Sequence, residues 1–167
     1  MSMAWEIERR FLVRAGETVA PGPGRHLRQG YVVHGDPSVR IRTGEARGAV
    51  LTCKSGSGIR RSEVETVVPE EVADALFRAA GSQVLEKVRW QLGPWTLDRF
   101  LGALEGLHLL EIELEREDEP LPEPPEGVQV LREVTDDGRF VSGQLARMKD
   151  EDRRELVKMA YEEVLGC

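Results

Sequence analysis

Acidic and basic side chains recur at every second position through much of this 167-residue chain. Glu6, Glu8 and Arg10 do so in "AWEIERRFLV" (residues 4–13), and Arg40 and Arg42 in "SVRIRT". Lys54 follows Thr52 in "LTCKS", and Arg61, Glu63 and Glu65 space "RSEVETV". Lys87 and Arg89 lie in "LEKVRW", Asp98 in "WTLDRF", and Glu111 and Glu113 in "LLEIELE". A strand sends alternate side chains to one face, so each set shares a side. The basic set Arg40, Arg42, Lys54, Lys87 and Arg89 suits a polyanion, because guanidinium forks match phosphate oxygens bidentately. The acidic set Glu6, Glu8, Glu63, Glu65, Glu111 and Glu113 suits a hard divalent cation. Mg²⁺ takes carboxylates together with phosphate oxygens and water. Side by side, the two sets describe a metal–polyphosphate site.

A half-exposed antiparallel sheet also shows one apolar and one charged face, and its charges are simply solvated. Two features separate this chain from that case. The polar faces carry few of the Thr, Ser and Gln residues that dilute a solvated face, and the signs are sorted strand by strand. Like charges opposed at ~4 Å cost about 4 kcal/mol at an effective dielectric of about 20. Relief requires acidic strands beside basic ones, or counter-ions. A sheet closed with its charges inward and its apolar face outward provides both.

Stretches 3–13, 28–34, 38–43, 48–54, 60–67, 83–91, 95–100 and 108–117 alternate or are rich in β-formers. Turn signals separate several of them: "HGDP" at 34–37, "TGEARG" at 43–48, "SGSG" at 55–58 and "LGP" at 92–94. In the first stretch Trp5, Ile7, Phe11 and Val13 form the apolar side, with Arg9 as the exception. The pattern predicts a meander or barrel. One helix interrupts it over 69–81, opened by Pro69 and two glutamates and stopped by Gly81, with Val72, Ala75, Leu76 and Ala79 as its apolar stripe. "EPLPEPPEG" at 119–127 must be irregular and is read as a surface loop leading to a helical C-terminal segment. Within that segment 150–166 should be a docked helix with apolar positions 156, 160, 164 and 157, 161, 165.

Length suits a single domain over 1–167. The net charge of −7 argues against a broad basic nucleic-acid surface but leaves room for a local cluster that binds a small anion. No apolar run is long enough to span a membrane, and the N-terminus shows no signal-peptide pattern. Two cysteines make no disulfide framework. Cys53 is expected as a small core hydrophobe and Cys167 as a mobile end, and a cytoplasmic location is expected. Outward apolar strand faces would also allow two barrels to pair as a homodimer.

The ordered motifs resemble the CYTH superfamily, the triphosphate tunnel metalloenzymes. "EIERRFLV" resembles its ExExK signature, "RQGYVV" its QGYL strand and "SVRIRT" its VRIR. "LTCKSGSGIRRSEVE", "EKVRW", "WTLDRFLGALEGLHLLEIELE" and "REVTDDGRFVSGQLAR" resemble its later motifs, so residues 4–147 are covered in order. The resemblance implies an α+β, mainly β, fold: an eight-stranded antiparallel closed tunnel barrel with a polar interior, flanked by helices. It implies triphosphate-bearing substrates and Mg²⁺ or Mn²⁺. Carried over by position, Arg40, Arg42, Lys54, Lys87 and Arg89, with Arg61 in addition, would hold phosphates. Glu6, Glu8, Glu111 and Glu113 would be the main metal carboxylates, and Glu63, Glu65 and Asp98 would ligate directly or through water. Tyr31 shares the inward parity; it either hydrogen-bonds a phosphate oxygen or packs.

Arg10 stands where the signature has Lys, so it can orient water or a terminal phosphate but cannot accept a proton. The aromatic residue often found just before LTxK is also missing. The leading expectation is divalent-metal-dependent hydrolysis of inorganic triphosphate, with Arg10, Lys54 and Tyr31 in catalytic positions and the cationic wall aligning the chain. One metal would bridge phosphate oxygens and a second would activate water. Nucleoside or thiamine triphosphate hydrolysis, class IV adenylate cyclase chemistry and non-catalytic polyphosphate binding are the alternatives. His26, His34 and His108 are expected to lie off the charged faces.

Overall fold

The structure is a computed structural model that describes residues 2–16, 19, 22–56 and 59–166; for residues 2–5, 60 and 165 it describes the backbone alone. The side chains of Trp5 and Leu165, positions 57–58 of the expected turn, and Cys167 therefore lie outside the described residues.

Eight antiparallel strands close on themselves. They are β1 (Ser2–Ala15), β2 (Arg25–Val33), β3 (Ser38–Glu45), β4 (Gly48–Ser55), β5 (Arg60–Val68), β6 (Val84–Leu92), β7 (Trp95–Phe100) and β8 (His108–Leu114). They neighbour one another in the order β5-β4-β3-β2-β6-β7-β8-β1, and β1 pairs back onto β5 to complete the ring. The long β1 makes closure possible, since its first half runs along β5 and its second half along β8. Between β3 and β4 the chain passes so close to β2 that a Cβ on Gly44 would sit 2.0 Å from the His26 carbonyl oxygen, and φ there is +94°. Glycine alone meets both conditions.

A further strand, β9 (Val128–Glu133), follows the proline-rich loop, where the sequence suggests helix. It lies on the edge of β1 that β5 leaves unpaired, opposite Phe11–Ala15. This strand also explains the break in alternation at Arg9, whose guanidinium forks onto Glu133 of β9 at 2.9 and 2.5 Å and lies over the Phe11 ring. Helical structure begins only with a 3₁₀ turn at Gly138–Phe140, followed by α2 (Ser142–Arg147) and α3 (Asp150–Leu165).

Helix α1 (Glu70–Ala80) sits where expected, with acidic residues in its first turn and Gly81 at its end. Its buried stripe is displaced by one residue, however: Ala73, Phe77 and Ala80 face the barrel, whereas Val72, Ala75 and Ala79 are exposed. Phe77 brings the largest apolar surface on the helix, and burying it rotates the rest. The ring packs with Ile41, Ala49 and Ala73 outside the barrel. A second outer cluster joins Phe11, Val13, Trp95, Leu97, Leu110 and Ile112. Cys53 is half-buried rather than in the core.

The inward parity does not stay ionic to the end. Beyond Arg10 comes Leu12, beside Lys87 is Leu85, beyond Asp98 is Phe100, and before Glu111 is Leu109, all buried in one cluster with Phe140, Leu145, Leu156 and Ala160. The helical tail thus seats an apolar plug on one end of the lumen. In α3, positions 156, 157, 160, 161 and 164 supply the packing stripe, as the spacing predicts.

Candidate active site

The charged faces converge on one cavity of about 490 Å³. Its lining includes six carboxylates, those of Glu6, Glu8, Glu63, Glu65, Glu111 and Glu113, and eight cations, those of Arg10, Arg40, Arg42, Lys54, Arg61, Lys87, Arg89 and Arg147. Tyr31 lines it too and is buried. The local balance is positive in a chain of net charge −7.

Strand register resolves most of the like-charge conflict. Lys54 stands opposite Glu63, Arg89 opposite Asp98, Arg10 opposite Glu111 and Arg61 opposite Glu6. Lys54 Nζ lies 2.7 Å from Glu6 and 2.6 Å from Glu63. Arg42 sits 2.9 Å from Glu45 and 3.5 Å from Glu65, whose Oε1 also accepts from Thr52 Oγ1. Arg10 donates from Nε to Glu111 at 2.7 Å, from Nη2 to Glu8 at 2.5 Å and from Nη1 to the Phe140 carbonyl at 3.3 Å. Its donors are thus shared between two carboxylates and the helical tail.

Asp98 is fully buried and does not line the cavity. It accepts from Lys87 at 2.5 Å and from Arg89 at 2.6 Å on each oxygen, and so braces the two cations from behind. Both oxygens of Glu111 are likewise taken up, one by Arg10 and the other by Arg89 at 3.3 Å.

One conflict remains. Glu8 and Glu113 stand directly opposite each other on β1 and β8. With Glu6 they place three carboxylate oxygens within 4.8 Å of one another. Among the described residues Glu113 has no ion-pair partner, whereas Glu8 is paired to Arg10 and Arg61. Partial burial, followed by the nearby charges of Glu6 and Glu8, pushes the carboxyl of the surface-accessible Glu113 above its usual range. Three converging hard oxygens with repulsion left over fit a divalent cation. Elsewhere the balance runs the other way. Burial alone would raise Glu111, but Arg10, Lys87 and Arg89 overcome it and hold it well below the carboxylate range. Burial, together with Arg89, brings Lys87 down to about 8 against the pull of Asp98.

Sequence reasoning missed His34, Ser38, Thr96, Gln144 and Arg147 in the lining. The expectation that His34 lies off the charged face is corrected by a β-bulge. Pairing between β2 and β3 shifts between Tyr31 and Val33, which leaves Val33 exposed and His34 on the cavity, stacked on Tyr31 at 5.6 Å. Strict alternation could not reveal an inserted residue. Gln144 and Arg147 come from α2, which no strand pattern addresses.

Barrel and lumen together define a class: closed antiparallel barrels that turn ionic side chains inward around a cavity and apolar side chains outward. The chain is 33% identical over 151 residues to the inorganic triphosphatase of Acetivibrio thermocellus, a match covering 87% of this chain and 95% of that protein. It belongs to the CYTH superfamily, the triphosphate tunnel metalloenzymes. The crystal structure of the inorganic triphosphatase NE1496 superposes with a TM-score of 0.56 at 30% identity, covering 86% of this chain and 95% of that one. A second structure of NE1496 gives 0.54 at the same identity. No protein-family model matches the sequence.

Proposed function

We propose that this protein hydrolyses inorganic triphosphate to pyrophosphate and phosphate with the help of Mg²⁺ or Mn²⁺. The observation that carries this reading is the polarised lumen, in which a carboxylate trio, with Glu113 lacking an ion-pair partner among the described residues, faces a field of arginine and lysine side chains. The family membership supports it, as do the two relatives, each named an inorganic triphosphatase.

A divalent ion held by Glu6, Glu8 and Glu113 would neutralise phosphate oxygens and acidify a bound water. The chain's own residues do the rest. Arg40, Arg42, Lys54, Lys87 and Arg89 grip the polyanion, with Arg61 beside Glu8, and align it for in-line attack. Water oxygen bonds to the terminal phosphorus and gives up a proton to bulk solvent, the bridging P–O bond breaks, and pyrophosphate leaves with its new charge on the guanidinium groups. Lys54, held between Glu6 and Glu63, stands where cationic and acidic walls meet. Arg10 is a positioning residue; it fixes Glu8 and Glu111 and offers no proton-accepting nitrogen. Tyr31 supports the wall beneath His34.

Nucleoside triphosphates fit less well. Among the described lining residues the aromatic rings are Tyr31 and His34, stacked on each other. A phosphate-release panel over tripolyphosphate, ATP, thiamine triphosphate and pyrophosphate, with Mg²⁺, Mn²⁺ or a chelator, tests the reading. Tripolyphosphate should turn over fastest, need the metal, and lose on the order of 100-fold or more in rate in a Lys54→Ala, Glu113→Ala double variant. Turnover no faster than that variant would overturn it.

A further inference from the structure

Six of the eight lumen cations are neutralised in place. Arg10, Arg42, Lys54, Arg61, Lys87 and Arg89 each lie within ion-pair distance of a carboxylate. Arg40 and Arg147 have no such partner among the described residues, although both line the cavity. These two side chains carry the unmatched positive charge of the lining, Arg40 half-buried and Arg147 exposed at its edge. Arg40 comes from β3, while Arg147 is the lumen cation supplied from outside the barrel, by α2.

Their location is informative. In the strand order β2 lies diametrically across the ring from β1. Helix α2 packs on β2 and β6, away from the β1–β8 seam that carries Glu8 and Glu113. The approach is close at Gly143, where a Cβ would stand 3.3 Å from the Tyr31 ring. Beside Arg147, His34 keeps a buried Nε2 without a hydrogen-bond partner. Burial, with Arg147 next to it, lowers the imidazole's proton affinity.

We infer that Arg147 is a further polyanion-binding residue, one that holds the chain end remote from the carboxylate trio and so favours a free polyphosphate over a nucleoside triphosphate. This deepens the proposed reading and rests on it. If the phosphate attacked lies against the carboxylates, the opposite end of an inorganic chain is an ionised terminal phosphate. In a nucleoside triphosphate that end is an ester, with less charge and a bulky substituent. A guanidinium placed there gains a charge-assisted contact with the first and meets the substituent of the second.

The test compares wild type, Arg147→Gln and Arg147→Lys for KM and kcat on tripolyphosphate and ATP with Mg²⁺. The thermal shift produced by tripolyphosphate in chelator is measured alongside. Arg147→Gln should raise KM for tripolyphosphate roughly tenfold, the weight of one charged hydrogen bond, with kcat within about twofold. It should raise KM for ATP less, and shrink the thermal shift. Arg147→Lys should recover most of the loss. Unchanged KM and thermal shift in Arg147→Gln, with the wild type active, would overturn the inference alone. An equal loss on both substrates would overturn the selectivity. A wild type that neither binds nor cleaves tripolyphosphate would overturn the functional reading and this inference with it.

Discussion

Lys87 is the lumen cation whose charge is least secure. Its amino group is buried, donates to Asp98 at 2.5 Å, and is brought down to about 8 by burial and by Arg89. The folded value lies below the ordinary 10.5, so the unfolded chain binds the extra proton and stability from this group rises between pH 8 and 10.5. Anion binding follows the opposite course, since the charge is present below about 8 and lost above it. Calorimetry of tripolyphosphate binding without metal should show affinity falling above pH 8 towards about one decade per pH unit. Lys87→Met should lack that descending limb, and a limb that persists there would assign the titration to another group. Legibility at this scale was uneven. Every inward cation on the strands was visible in the two-residue spacing, as was the acidic trio Glu6, Glu8 and Glu113. That Asp98 and Glu111 spend their oxygens on arginines and a lysine was not visible, because pairing depends on which strand lies opposite.

Helix α2 is too short to hold its place by its own hydrogen bonds and is fastened by α3. The buried Arg153 of α3 donates to the carbonyls of Leu145 and Ala146 at 2.9 Å, to Val84 of β6 at 3.4 Å, and to Asp150 at 3.1 Å. Removing it leaves carbonyls at the end of α2 without donors. Arg153→Ala should lower unfolding free energy in urea by about 3 kcal/mol, and Arg153→Lys should restore only part, because an ammonium cannot fork across three carbonyls. A loss under about 1 kcal/mol would show that the apolar plug alone seats the tail. The eight barrel strands, α1 and α3 were readable from period and caps. Strand β9 was not, since the prolines before it masked a short alternating run, and its partner edge exists only because β5 stops short on β1. The bulge that turns His34 inward was hidden for a related reason, as one inserted residue inverts parity without altering composition.

At the scale of the whole molecule, the chain separates its charges from its grease in an inverted sense around the cavity, with conventional apolar clusters outside and at the plug. Among the described residues no helix is long and apolar enough to cross a membrane. An inward field of cations is under mutual repulsion wherever carboxylates do not match it, so a bound polyanion should stabilise the fold. Tripolyphosphate at about a hundred times its dissociation constant should contribute about 2.7 kcal/mol and raise Tm by roughly 5–10 °C. High salt should erode the shift, and an equal rise with sulfate at the same concentration would make it non-specific. The most direct test follows ³¹P resonances of tripolyphosphate with wild-type protein and Mg²⁺. Pyrophosphate and phosphate should appear in equal amounts, and both should form more slowly, by on the order of 100-fold or more, with the Lys54→Ala, Glu113→Ala double variant. A tripolyphosphate signal that broadens on binding yet never decays would contradict hydrolysis and leave the lumen a binding site.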